Sequence, residues 1–182
     1  PTRRRRQRQM CIRDSIKYFS ILALVFMVGC EAPTVGYNTY ERAKDYKFSL
    51  GSEESIEIAM SFDKAWNERD FETMTALASD SIKFSFFDGV ERDFDYVKDL
   101  VKRQDSIREA NGSSIEADLK HVYSVVLNPN NGFDYVQSAV VYTATDSVGK
   151  INKWRVFERF AVKDGKVQRF GGAWQDIPEE TE

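Results

Sequence analysis

Glu158 sits where a carboxylate is costly. Residues 151–162 alternate as a strand does, and Glu158 shares parity with Trp154, Val156, Phe160 and Val162. Side chains of a strand point alternately to its two faces, so this acid is aimed with four apolar neighbours. Burial there penalises the charged form and raises the pKa, giving a poised acid or a neutral hydrogen-bond donor. The alternative is a structural carboxylate paired with an arginine of a neighbouring strand. His121, the only histidine, has the parity of Leu119 and Tyr123 within residues 115–127, which predicts it on the apolar face. It is then a core or rim residue, or the base of a dehydratase-like pair with Glu158.

The last strand adds Trp174, which shares parity with Phe170 and Gly172. Gly171-Gly172 removes two side chains from a strand interior, marking close approach of a ligand or another backbone, or a bend in a curved sheet. The predicted site is therefore an apolar cavity bounded by Trp154, Phe160 and Trp174, with Gly172 beside Glu158. Arg155, Phe157 and Arg159 lie on the opposite face, where two arginines around a phenylalanine suit a homodimer surface or an ordinary solvated face. Asp88, Glu91, Arg92, Asp93 and Asp95 crowd one loop. Hard cations take several carboxylate oxygens, but no calcium-loop spacing is present, so the loop reads as solvated and no metal is expected.

Composition narrows the classes further. One histidine excludes sites needing two imidazoles, and two cysteines exclude a disulfide scaffold or a four-thiolate zinc site. No Walker loop or dinucleotide glycine fingerprint appears, so no cofactor is expected. The 182 residues carry 26 basic and 29 acidic side chains. Residues 1–29 hold seven of those bases and one acid, which leaves 19 and 28, a net −9, for residues 30–182. Such an acidic body repels nucleic acid, so no nucleic-acid partner is expected.

The basic start divides into segments. Residues 1–15, PTRRRRQRQMCIRDS, resemble translated sequencing-adapter read-through and read as a non-native leader; a basic nucleic-acid arm is the competing reading. Residues 16–29 read as a signal peptide: Lys17 precedes an apolar run too short to span a bilayer. Met27-Val28-Gly29-Cys30 resembles a bacterial lipobox, which implies a lipidated Cys30 at the start of the mature chain. Acyl chains anchor at about 0.8 kcal/mol per buried CH₂, so the expected location is the bacterial cell envelope, lipid-anchored. Residues 30–50 contain Pro33, Gly36 and Asn38 without strong periodicity and read as a tether.

Residues 51–178 must position the site, and 179–182 form a tail. Ser52 caps a helix whose apolar stripe runs through Ile56, Ala59, Phe62, Asp63 and Trp66 to an end near Arg69. Asp70 opens a second helix; Ile82, Phe84 and Phe86 alternate as a strand; Phe94, Val97, Leu100 and Val101 mark a third helix. Four long strands follow, separated by turns at 128–132, 146–149 and 163–165. Helices segregated from antiparallel strands argue an α+β fold.

Three stretches carry a resemblance: 65–74 (AWNERDFETM), 77–84 (LASDSIKF), and 160–167 (FAVKDGKV) leading to Ala173-Trp174. With the element order, they resemble the nuclear transport factor 2-like superfamily, which includes SnoaL-like cyclases and ketosteroid isomerases. The resemblance implies a cone: a strongly curved, mostly antiparallel sheet wrapped round N-terminal helices, with an apolar pocket at its open end and common dimerisation through the outer face. Laid over the ketosteroid isomerase pattern, Ser85 takes the position of the general base and Phe62 that of the tyrosine, while Glu158 alone keeps an acid. A serine hydroxyl is too weak an acid to rest as a base and Phe has no proton to donate, so that reaction is not expected. The fold hosts many chemistries. The expected function is binding of a small apolar or amphipathic ligand, or of a protein partner, without catalysis. The alternative is an isomerase, dehydratase or hydrolase using Glu158 with His121.

Overall fold

The computed structural model describes residues 33–178 except Arg42 and Phe87. The leader, the signal peptide, Cys30 and the tail lie outside the described residues. Of the described residues, 34–178 fall in one compact unit. In chain order it runs β1 (Ser49–Leu50), α1 (Glu53–Glu68), α2 (Phe71–Leu77), β2 (Ala78–Ser85), β3 (Glu91–Arg92), α3 (Phe94–Ala110), β4 (Ser114–Val126), β5 (Asp134–Thr145), β6 (Ile151–Lys163) and β7 (Lys166–Asp176).

Local chemistry sets the helix ends. The Ser52 hydroxyl accepts from the Ser55 amide and donates to Asp134 (2.6 Å), which ties the start of α1 to β5. Arg69 ends α1 in a left-handed conformation (φ 63°), and its guanidinium reaches Asp105 of α3 at 2.9 Å. Asp70 and Asp93 cap α2 and α3 by accepting from the Thr73 and Tyr96 amides. Asp88 pairs with Arg92, and Glu91 with Arg169, so the acidic loop is held by ion pairs and a cap.

The sheet order is β1-β4-β5-β6-β7-β2-β3, antiparallel except where β2 lies parallel to β7. That junction requires Gly171: a Cβ there would sit 2.1 Å from the Ser85 carbonyl oxygen. Gly171 thus marks the approach of another backbone. Phe62 of α1, Phe84 of β2, Phe160 of β6 and Phe170 of β7 are buried together, with centroids 4.9 Å apart for Phe160–Phe170 and 5.8 Å for Phe62–Phe170. Phe160 is therefore part of the core and not a cavity wall, a correction to the predicted site: its ring is enclosed by Phe62 and Phe170.

Two further expectations are corrected. Residues 34–50 are not a free tether. Val35 and Phe48 exchange backbone hydrogen bonds, buried Asn38 donates to the Leu127 carbonyl, and β1 pairs with the end of β4. The alternation of β4 also breaks. Leu119 opposes Val140 while His121 opposes Ala139, so Lys120 is an extra residue, a β-bulge. Beyond it the faces exchange: Val122 and Ser124 turn inward, and His121 and Tyr123 stack on the outer face at 6.1 Å.

Candidate functional site

Strand pairing places Glu158 on the inner face, opposite Ser138 of β5 and Gly172 of β7, under α1. It is 4% exposed. The Ser138 hydroxyl donates to Oε2 at 2.7 Å, and Oε1 lies 3.4 Å from the Tyr142 hydroxyl. Among the described residues no cation pairs with it. Among the described residues the arginine partner of the structural reading is not found.

The helix supplies a second acid. Asp63 is 8% exposed on the buried face of α1. One turn on, the Asn67 side-chain amide donates to the Asp63 carboxylate (3.3 Å) and to its backbone carbonyl (3.0 Å). Asn67 Oδ1 in turn lies 3.3 Å from the Tyr142 hydroxyl. A chain of polar groups thus links Asp63, Asn67, Tyr142, Glu158 and Ser138 across the interior.

Burial dominates the electrostatics. Desolvation, followed by repulsion from Asp63, pushes the Glu158 carboxyl up to about 8. Desolvation raises Asp63 to about 6 against the hydrogen bond from Asn67. Tyr142 is pushed well above the ordinary phenol range by burial and by the two carboxylates. Burial and mutual repulsion favour a neutral Glu158 beside an ionised Asp63. Ser138 donates to Glu158 and Asn67 donates to Asp63, while the one Tyr142 proton lies between two acceptors, Glu158 Oε1 and Asn67 Oδ1. A neutral Glu158 keeps a proton of its own in addition to the bonds it accepts from Ser138 and Tyr142.

Exposure along the inner face shows where the cone opens. Phe160 and Phe170 are enclosed, Glu158 beside Gly172 comes next, then half-buried Val156 paired with Trp174, which is 53% exposed. Half-buried Trp154 stacks on Tyr142 at 5.7 Å and 14°. The face is closed at Phe160 and open at Trp154 and Trp174, with Glu158 between. A Cβ on Gly172 would approach the Phe157 carbonyl at 3.1 Å and Val156 at 3.2 Å.

The structure brings Glu158, Gly172, Trp154 and Trp174 to one face and leaves His121 out. His121 lies exposed on the other side of the sheet, put there by the Lys120 bulge, so it forms no pair with Glu158. Sequence reasoning passed over Asp63, Asn67, Ser138 and Tyr142. The signal for Asp63 was available: it is a charged residue inside the apolar stripe of α1. Arg155, Phe157 and Arg159 do lie on the outer face, with the Phe157 ring exposed.

No family model and no curated relative matches the sequence. Solved structures do. A candidate polyketide cyclase of Xanthomonas campestris superposes with a TM-score of 0.50 at 14% identity, covering 68% of this chain and 91% of that one. IdmH, a candidate polyketide cyclase of Streptomyces antibioticus, gives 0.50 at 15% identity over 68% and 93%. An NTF2-like protein of unknown function from Burkholderia pseudomallei gives 0.47 at 10% over 68% and 92%. The similarity is one of fold alone: an α+β arrangement of helices on a mostly antiparallel sheet.

Proposed function

We propose that this nuclear transport factor 2-like cone belongs to a bacterial envelope protein, anchored through a lipidated Cys30, that binds a small amphipathic ligand without chemical change. Glu158 carries the reading: a buried carboxyl group with hydroxyl partners and, among the described residues, no cation. In its neutral form it presents a proton to a carbonyl or ether oxygen of the ligand. The Trp154–Tyr142 stack offers the apolar body a flat wall. Calorimetric titration with aromatic ketones and matched hydrocarbons tests this. One hydrogen bond of about 1–1.5 kcal/mol predicts roughly tenfold tighter binding of the ketone. The preference falls as pH rises through about 8, where Glu158 loses its proton. Equal binding of ketone and hydrocarbon at every pH would refute it.

Asp63 favours a second reading, acid–base catalysis. Two carboxyl groups whose surroundings push them to about 6 and about 8 suit a base and an acid, with Asp63 in the role the sequence offered to His121. A rate profile for isomerisation or dehydration with limbs near those values supports it, and a flat profile removes it. For the outer face the proposal is a second copy of the chain, meeting Phe157 between Arg155 and Arg159.

A further inference from the structure

Only residues 30–33 separate the candidate lipid-modified Cys30 from the compact unit that begins at Thr34. Residues 34–50 form a collar fixed to the domain. Asn38 is bonded to Leu127, the Tyr46 hydroxyl accepts from Asn130, and β1 extends β4. A free tether over residues 30–50 would reach roughly 70 Å when extended, whereas the remaining four residues reach about 14 Å.

The collar is fixed to one end of the cone. Ser49 and Leu50 pair with Val126 and Val125, at the end of β4 that leads into β5. On β5 and β6 that end holds Val136 and Phe160, the closed side of the inner face. The mouth residues Trp154 and Trp174 lie toward the other end, as does the turn at 146–149. Ser114, which opens β4, pairs with Thr145 there, and 12 strand steps put the two ends roughly 40 Å apart.

The collar also differs from the body in what it exposes. Val35, Tyr37, Tyr40 and Leu50 are all largely exposed, Tyr37 at 81%. Residues 34–50 carry three basic and two acidic side chains, whereas residues 51–182 carry 16 and 25. Tyrosine sits well at a bilayer–water boundary, and anionic headgroups repel the acidic body while tolerating the collar.

The geometry points to a lipid surface as the occupant of this collar. The closed end of the cone is seated on the bilayer by Val35, Tyr37 and Tyr40, and the mouth at Trp154 and Trp174 opens away from it. The ligand therefore enters from the aqueous side and not by lateral transfer out of the membrane. The inference rests on lipidation of Cys30.

The full chain offers a direct test, because its only cysteines are Cys11 and Cys30. After processing and acylation, a cysteine introduced by Tyr37→Cys or Val148→Cys is the single free thiol. Val148 is exposed on the turn at the mouth end. Each variant is expressed with its own leader and labelled with bimane. It is then reconstituted into phosphatidylethanolamine–phosphatidylglycerol vesicles containing a lipid with a nitroxide near the headgroup. The mass of the Cys30 peptide is measured on the same samples. The expected result is an acylated Cys30 and about threefold or more stronger quenching at position 37 than at 148, since interfacial side chains lie within roughly 10 Å of the headgroup boundary. Acylation with equal quenching, or with stronger quenching at 148, overturns the seating and leaves the lipoprotein reading standing. An unacylated Cys30 overturns both.

Discussion

Glu158→Gln isolates the buried proton. Glutamine keeps the shape of the acid, and its amide can still accept from Ser138 and donate to the Tyr142 oxygen. Burial and Asp63 raise the folded-state pKa from an ordinary 4.5 to about 8. Between those values the folded protein holds a proton that the unfolded chain has released. Stability from this group is therefore fully present below about pH 4.5 and is lost as pH rises toward 8. Each tenfold change in proton affinity is worth about 1.4 kcal/mol, so the whole window amounts to about 4–5 kcal/mol. Asp63 adds a loss of the same sign between its ordinary 3.8 and about 6. Asp88, held down to about 2 by the hydrogen bond from Arg92, has the opposite sign: its contribution is present above about pH 4 and is lost as pH falls toward 2. The difference between wild type and variant cancels every group except Glu158 and whatever is coupled to it. Urea midpoints at about pH 5 and pH 9 should show the variant within about 1 kcal/mol of wild type in acid and several kcal/mol more stable in alkali. A buried ion-pair partner behaves otherwise: losing it costs about 3–5 kcal/mol near neutrality. A variant destabilised by that amount at pH 7, or a difference that does not change with pH, would refute a neutral buried acid.

Three further outcomes are expected. Gly171→Ala should strongly destabilise the protein in urea, because the added carbon meets the Ser85 carbonyl at 2.1 Å and must part β2 from β7. His121→Ala should leave ketone binding and its pH dependence unchanged in the calorimeter, since the ring lies on the opposite face from Glu158; a tenfold loss of affinity would return His121 to the site. Phe157→Asp should give a monomer by analytical ultracentrifugation where wild type gives a dimer, and a monomeric wild type removes the outer-face proposal.

The element order was legible because each piece carried a local signal. Ser52 and Asp70 cap helices where the sequence places them, and Phe84 is buried as its alternation requires. What parity cannot register is an insertion of one residue. In residues 115–127 the apolar alternation continues unbroken through Lys120, yet the bulge there reverses which face each later residue takes. His121 therefore changed sides while its neighbours in the sequence stayed the same. Residues 34–50 failed for a different reason. Their order comes from Leu127, Asn130 and the end of β4, partners about 80 residues away in the chain, and a local reading of Pro, Gly and Asn sees only a linker.

Half of the site was legible for a matching reason. Glu158 violates the pattern of its own strand, and one sequence window is enough to see it. Asp63 violates the stripe of α1 in the same way, between Phe62 and Trp66, but a helix stripe is broad and an acid at its margin can turn to solvent. Only β5 decides the matter. Tyr142 and Ser138 on its inner face bring hydroxyls to the places that Asn67 and Glu158 need, and both read in sequence as ordinary polar positions of a strand. The meaning of each acid therefore depends on the other. Asp63 is one cause of the proton on Glu158, and Asn67 and Tyr142 join the two acids through hydrogen bonds. A carboxyl pair of this kind cannot be assigned residue by residue. Asp63→Asn should accordingly lower the Glu158 pKa as well as remove its own titration, which the carboxyl carbon shift of Glu158 would record. If that shift titrates at the same pH with and without Asp63, the two acids act separately, and the case for either as half of a coupled site falls.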